Sequence, residues 1–195
     1  MQKGHSERKK KIWEEGKEEI WTPIPRATWR WPKTVFICDC KPVVQQINGQ
    51  ACPSRATKIW ERLQTLYKLE TMEEKKWFLY KPREENKEAD KMANEALDKG
   101  DFEEFNKEGM QELERVLPEE EDAALQINSD GACRKKTPPE SSYGIYAQIK
   151  TRRGKWEIYR KGQRTEAKDN FISEWEGADD AVETYIRIIR NMYDV

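Results

Sequence analysis

The chain has 195 residues, of which 37% are charged and 36% are hydrophobic, and its formal net charge is −1. The length allows one domain with its own core, but the low apolar fraction implies that part of the chain is solvated helix, linker or tail. No run approaches the roughly 18 apolar residues of a membrane span, and the start lacks the apolar stretch of a signal peptide. We therefore expect a soluble intracellular protein with no membrane partner.

Residues 1–33 show neither helical nor strand periodicity. A basic cluster at residues 8–11 is followed by four tryptophans among charges and prolines: Trp13, Trp21, Trp29 and Trp31. We interpret residues 1–33 as an irregular extension whose tryptophans lie on the surface of the domain. The alternative is an arm that binds a partner or stacks on nucleic acid bases.

From residue 34 onwards, strand and helix patterns alternate. Between residues 98 and 122 there are eleven acidic and three basic residues, which predicts a helix followed by a flexible linker. The other predicted elements are a strand at 34–39, helices at 42–47 and from 54, a strand at 76–80, a helix at 86–97, strands at 125–130, 143–149 and 155–160, and a helix over about 170–192. This order predicts a mixed α/β domain.

Four carboxylates occupy comparable places in these elements. Asp39 and Asp130 end predicted strands, while Asp90 and Glu174 lie in the first turns of predicted helices. Singly, such residues are more often turn-formers, caps or partners of the helix dipole. A buried carboxylate, however, needs compensation, which divalent cations provide because they bind hard oxygen ligands. Two such strands together with two such helices favour a metal site.

Cysteine and histidine provide little further metal-binding capacity, since the chain has four cysteines and one histidine. Cys38 and Cys40 flank Asp39, and a strand would direct both thiols to one face, where they could suit a metal. We favour ordinary buried cysteines instead. A disulfide framework is not expected from so few cysteines.

Four segments resemble motifs of the ribonuclease H family. Residues 81–97 (KPREENKEADKMANEAL) resemble its closing PRE-x-N-x-x-AD motif, and residues 127–132 (INSDGA) resemble its opening strand with a D-G-A/S turn. Residues 170–178 (NFISEWEGA) resemble its N-x-x-A/S-E helix start. Residues 35–49 (VFICDCKPVVQQING) are similar to its D-S-x-x-V-V-x-x-L/I-N-G segment. The resemblance implies an RNase H-like α/β fold with a five-stranded mixed sheet flanked by helices.

The order of these motifs differs from that of the family. Residues 34–97 resemble the family's C-terminal half and residues 124–195 its N-terminal half, so that strands 4-5 precede strands 1-2-3. Residues 98–123 would then join the old termini as an acidic helical linker. We interpret residues 34–195 as one circularly permuted domain. The alternatives are a piece of a tandem repeat, or two chains exchanging halves, so we expect a monomer or a half-exchanged homodimer.

The resemblance also implies an activity and its residues. In the family, two Mg²⁺ ions, or Mn²⁺, support hydrolysis of the RNA strand of RNA/DNA hybrids. By motif position, Asp130 would bridge both ions, Glu174 and Asp39 would complete one metal site, and Asp90 the other. Asn170 and Gln45 match positions that often contact nucleic acid.

Two departures from the family bear on substrate binding. The loop at residues 83–88 has no histidine, and no basic helix lies between residues 49 and 77. Binding of the hybrid would then either be weak or depend on the N-terminal extension and on basic residues of the second half: Arg134, Lys135, Lys136, Arg152 and Arg153. A non-catalytic nucleic-acid-binding or scaffolding domain and a DNA-cutting relative of the same fold are the competing interpretations.

Overall fold

The computed structural model describes residues 8–12, 20–24, 33–50, 61, 78–116, 123–167 and 169–193. Its strands are β1 (Arg8–Ile12), β2 (Ile20–Ile24), β3 (Lys33–Cys38), β4 (Phe78–Tyr80), β5 (Phe102–Phe105), β6 (Ala124–Arg134), β7 (Glu140–Thr151) and β8 (Gly154–Thr165). Its helices are α1 (Lys41–Ile47), α2 (Lys87–Lys99), α3 (Lys107–Val116) and α4 (Asn170–Tyr193), with a short 3₁₀ turn at Arg83–Glu85. Apart from residue 61, the helix predicted from residue 54 lies outside the described residues.

One mixed sheet organises the domain. Its strand order is β4-β3-β6-β7-β8-β5, so it has six strands rather than the five that we predicted. β4 and β6 pair with β3 in parallel, and the β6–β7, β7–β8 and β8–β5 pairs are antiparallel. Because the parallel pairs join segments that are distant in sequence, residues 33–38 and residues 124–129 lie side by side at the β3–β6 pair.

The sixth strand comes from the acidic segment that we interpreted as a helical linker. β5 pairs with β8, where the Tyr159 hydroxyl donates a hydrogen bond of 2.7 Å to Glu103 Oε1. Arg160 forms an ion pair with Glu104, and the rings of Phe105 and Tyr159 lie 4.9 Å apart. The strand is short and rich in glutamate, so its stability depends on these cross-strand partners and not on its own composition. The predicted helix is present as α3.

The N-terminal extension is more regular than we predicted. β1 and β2 form a separate two-stranded antiparallel sheet with Arg8 opposite Ile24 and Ile12 opposite Ile20. Because pairing between strands depends on backbone hydrogen bonds, it does not require the side-chain periodicity that we looked for in the sequence. The other residues of the extension lie outside the described part of the chain.

Helices cover both faces of the main sheet. The principal core gathers buried side chains of α1, α3 and α4, including Val43, Leu113 and Trp175, against sheet residues such as Ile145. The opposite face carries α2, since a Cβ on Gly144 would lie 2.2 Å from the Ala89 carbonyl oxygen. Glycine is therefore required there for close helix packing. Among the helices that the structure describes, none has the length and apolar character needed to cross a membrane.

Candidate active site

Asp39 directly follows β3, and Asp130 lies on β6, the parallel strand beside it. The register pairs Cys38 of β3 with Ser129 of β6, so the next residue along each strand direction is one of the two aspartates. Asp130 is 3% exposed, and its side chain is within hydrogen-bonding reach of Asp39. The parallel pairing that joins the two parts of the sheet therefore also brings two of the four predicted carboxylates together.

The N-terminal part of α4 brings Glu174 to the same place. A Cβ on Gly131 would lie 2.6 Å from the backbone nitrogen of Glu174, so only glycine allows the helix to approach β6 this closely. Glu174 is 4% exposed and is hydrogen-bonded by the Gly131 amide and by Asn170. The D-G motif thus supplies both a carboxylate and the space for a second one.

A buried asparagine holds the start of α2 against β6. Asn86 Nδ2 donates a hydrogen bond of 2.9 Å to the Ser129 carbonyl oxygen, and Asn128 Nδ2 donates one of 2.9 Å to Asn86 Oδ1. One turn later, Asp90 is within hydrogen-bonding reach of Asp130. Asn86 therefore fixes the helix in the position that adds Asp90 to the other three carboxylates.

The four carboxylates line one open cleft of about 490 Å³. They come from the residue after β3 and from α2, β6 and α4, which are far apart in the chain. Asp130 and Glu174 are buried at the base, while Asp39 and Asp90 are partly exposed. This arrangement leaves room for small ions and for a phosphate group to reach all four side chains.

The electrostatics of the buried pair indicate a need for positive charge. Burial, followed by the charges of Glu174 and Asp39, raises the pKa of Asp130 far above its usual range. Burial and the charge of Asp39 also raise the pKa of Glu174, although hydrogen bonds from Asp130, Gly131 and Asn170 oppose this shift. Both shifts favour the protonated carboxyl groups, so a bound divalent cation would compete with protons for this pair.

Two of the predicted nucleic-acid contacts lie at the cleft. Asn170 and Arg134 line it, whereas Gln45 and Lys136 are not among the described residues that do. Arg134 Nη1 is 2.7 Å from Asp98 Oδ1, and Lys136 pairs with Glu140 at 3.4 Å. The motifs therefore predicted some of the residues that line the cleft, but they did not distinguish the basic residues that line it from those that do not.

Two polar side chains of the cleft, Arg83 and Asn94, were not among the predicted site residues, and neither were the thiols of Cys40 and Cys133. Arg83 Nη2 lies 3.2 Å from Asp90 Oδ1, and Asn94 Nδ2 lies 3.4 Å from the same oxygen. Arg83 belongs to the PRE motif and Asn94 follows Asp90 by one helical turn. Helical spacing was the available signal for Asn94, since residues four apart lie on the same face.

Comparison with known proteins points to the family of folds that the sequence motifs resemble. Residues 27–96 match a family model described as reverse transcriptase-like, a family of RNase H-like domains. The matched segment contains Asp39 and Asp90, and the mixed sheet with its helices is consistent with an RNase H-like fold. No curated protein and no solved structure matches the chain.

Proposed function

We propose that the chain is a metal-dependent endoribonuclease that hydrolyses the RNA strand of RNA/DNA hybrids. The observation that carries this proposal is the convergence of Asp39, Asp90, Asp130 and Glu174 on one cleft. Two of these carboxylates are buried and repel each other, an arrangement that favours cation binding over a purely structural role. The family match supports the assignment to this class of fold.

The donor set fits hard divalent cations. Carboxylate oxygens and water are the ligands that Mg²⁺ and Mn²⁺ prefer. By motif position, Asp130, Glu174 and Asp39 would hold one ion, and Asp130 and Asp90 would hold the other; the Asp130 side chain is within hydrogen-bonding reach of both Asp39 and Asp90. When bound, such a pair of ions activates a water and stabilises the leaving 3′ oxygen of a phosphodiester.

Neighbouring side chains would hold the substrate. Asn170 is exposed at the cleft and can donate hydrogen bonds to ribose, whose 2′-hydroxyl distinguishes RNA from DNA. Arg134 and Arg83 provide positive charge for phosphate oxygens at the same cleft. Both arginines also pair with aspartates, which keeps their guanidinium groups near the cleft before substrate binds.

We also propose that the domain is circularly permuted. The segments that resemble the family's two halves lie in reverse order, and β3 and β6 join them side by side in a single sheet. A reordered chain tests this idea. It would start at Ala123, connect Val195 to Met1 through a flexible linker and end at Val116. We expect cooperative unfolding as in the original chain, and loss of the folded state would contradict the permutation.

A cleavage assay tests the activity. Labelled RNA/DNA hybrid, double-stranded RNA and double-stranded DNA would be incubated with the protein and Mg²⁺ or Mn²⁺. We expect cleavage of the RNA in the hybrid only, and a loss of at least about 100-fold in Asp130→Asn. Glu88→Gln, an exposed carboxylate on α2, is the matched control and should retain activity.

The same assay separates the competing functions. Hybrid binding without metal-dependent cleavage would favour a non-catalytic binding or scaffolding domain. Cleavage of double-stranded DNA would favour a DNA-cutting relative of the fold. Equal hybrid cleavage by Asp130→Asn and the original chain would exclude the four-carboxylate site as the source of the activity.

A further inference from the structure

The end of β3 contributes a thiol next to the carboxylates. Cys38 is 0% exposed, and its Sγ lies 3.8 Å from Glu174 Oε2. The Cys38 Sγ, one carboxylate oxygen of Asp39 and one of Glu174 all lie within 4.8 Å of one another. Two ligands of one zinc ion, with bonds of about 2.0–2.3 Å, lie roughly 3–4 Å apart. Small side-chain rotations would therefore bring all three atoms onto one ion.

A buried hydroxyl beside this thiol is a second, independent observation. Ser129 is the ladder partner of Cys38, so both side chains leave the sheet on the same face. Ser129 is 0% exposed, and its Oγ has no hydrogen-bond partner in the described part of the chain. An unpaired buried hydroxyl is unfavourable, and a bound ion or its water ligand would offset that cost. A buried polar atom without a hydrogen-bond partner therefore lies on the same face of the sheet as the thiol.

The ligand types distinguish this site from the proposed magnesium site. Mg²⁺ binds hard oxygen ligands, whereas a thiolate ligand selects softer cations such as Zn²⁺. A site with a thiolate can therefore prefer these cations without a histidine ligand. We propose that Cys38, Asp39 and Glu174 bind one thiophilic divalent cation of the Zn²⁺ class. A sulfur–metal bond forms as the S–H bond breaks, and the proton leaves to solvent without any change of oxidation state.

Occupation of this site has a regulatory consequence. Asp39 and Glu174 are shared with the proposed magnesium site, so a thiophilic ion would remove them from it and inhibit cleavage. This consequence rests on the proposed nuclease function, whereas the binding of the ion does not. Among the described residues, Cys40 and Cys133 line the cleft of the four carboxylates and are the other thiols that could contribute. A test must therefore identify the sulfur ligand.

Titration of the metal-free full chain with Cd²⁺ under reducing conditions provides that test. Thiolate-to-cadmium charge transfer absorbs in the near ultraviolet, so the readout requires neither substrate nor activity. We expect one saturable equivalent that Cys133→Ser retains and Cys38→Ser loses. An unchanged absorption band in Cys38→Ser would overturn the proposal, as would loss of the band in Cys133→Ser alone.

A second variant covers the case in which Cys38→Ser does not fold. Asp39→Asn keeps the thiol and alters a partly exposed side chain. We expect its Cd²⁺ affinity to be at least about tenfold weaker, and equal affinity would exclude Asp39 as a ligand and refute the site. If the original chain shows the Cd²⁺ absorption band but cleaves no hybrid, only the proposed nuclease function is refuted. If the original chain cleaves the hybrid but shows no Cd²⁺ absorption band, only the proposed thiophilic site is refuted.

Discussion

Asp130 and Glu174 are buried carboxylates whose pKa values are raised by burial and by neighbouring negative charge. The folded metal-free protein therefore holds protons there more strongly than the unfolded chain, whose carboxyl pKa values are about 4. This contribution to stability is fully present below pH about 4 and is lost as pH rises through the folded pKa values. We expect the free energy of unfolding of the metal-free protein to fall from about pH 4 through neutral pH.

The substitution Asp130→Asn should remove much of this decrease in the free energy of unfolding with rising pH. The amide carries no charge and can donate to Asp39 and Asp90, so the metal-free variant should be more stable than the original chain at pH 8 by at least about 1 kcal/mol. Urea denaturation with a chelator at pH 5 and pH 8 measures the difference. Glu88→Gln should leave the pH profile unchanged. A metal-free Asp130→Asn protein less stable than the original chain at pH 8 would contradict this electrostatic interpretation.

Asn86 is the residue on which the position of Asp90 depends. Asn86→Ala removes both hydrogen bonds to β6 and leaves buried polar groups without partners, so we expect a loss of about 2–4 kcal/mol. Mg²⁺ affinity should also decrease, because α2 is no longer fixed beside Asp130. Urea denaturation and calorimetric Mg²⁺ titration measure the two effects. Glu88→Ala is the control on the same helix, and stability equal to that of this control would contradict the role of Asn86.

At the scale of elements, α3 is an integral part of the domain. Glycine within a helix is usually less favourable than alanine by about 1 kcal/mol, so the sequence alone predicts that Gly109→Ala stabilises. In the structure, a Cβ at this position would lie 1.8 Å from the Glu157 carbonyl oxygen of β8. We therefore expect the opposite sign, a destabilisation of about 1–3 kcal/mol by denaturant unfolding.

The matched control for this prediction is Glu108→Ala. Glu108 is the exposed neighbour of Gly109 on α3, and its replacement should change the free energy of unfolding by less than about 0.5 kcal/mol. If Gly109→Ala were as stable as this control, α3 would not be packed on β8. The acidic segment would then behave as the linker that its composition predicted.

The same segment explains where sequence patterns were insufficient. β6 and α4 are predictable because their apolar residues repeat with the period of the element, and β3 is predictable because it is a short, continuous apolar run. β5 has two glutamates between its phenylalanines, and it is stabilised by Tyr159 and Arg160 of a strand more than fifty positions away. Such partners are visible only in the folded chain, so short edge strands of this kind are not predictable from local composition.

For the candidate site, motifs predicted the four acidic residues but not their surroundings. The structure brings all four to one cleft, although each acid alone has an ordinary explanation. Arg83 and Asn94 were missed, and Gln45 and Lys136 are not among the described lining residues. A motif records which residue types recur at a given spacing. The direction of a side chain depends on packing between distant elements, such as α2 on β6 through Asn86.

At the scale of the whole molecule, one chain supplies every strand of the main sheet. Within the single chain that the structure describes, β3 pairs with β6, and the cleft beside this pair contains all four carboxylates. In an exchanged dimer, by contrast, each site would combine Asp39 and Asp90 of one chain with Asp130 and Glu174 of the other. We expect a monomer of 23.2 kDa by light scattering after size exclusion.

Complementation between two inactive variants tests the same point at the site itself. Asp90→Asn and Asp130→Asn would be unfolded together, refolded as a mixture and assayed on the hybrid. Exchange between chains would restore about a quarter of the sites, because half of the dimers would be mixed and each would contain one intact site. We expect no restoration, since each folded chain carries its own substituted carboxylate. Activity near a quarter of that of the original chain would show that the two halves of the site come from different chains.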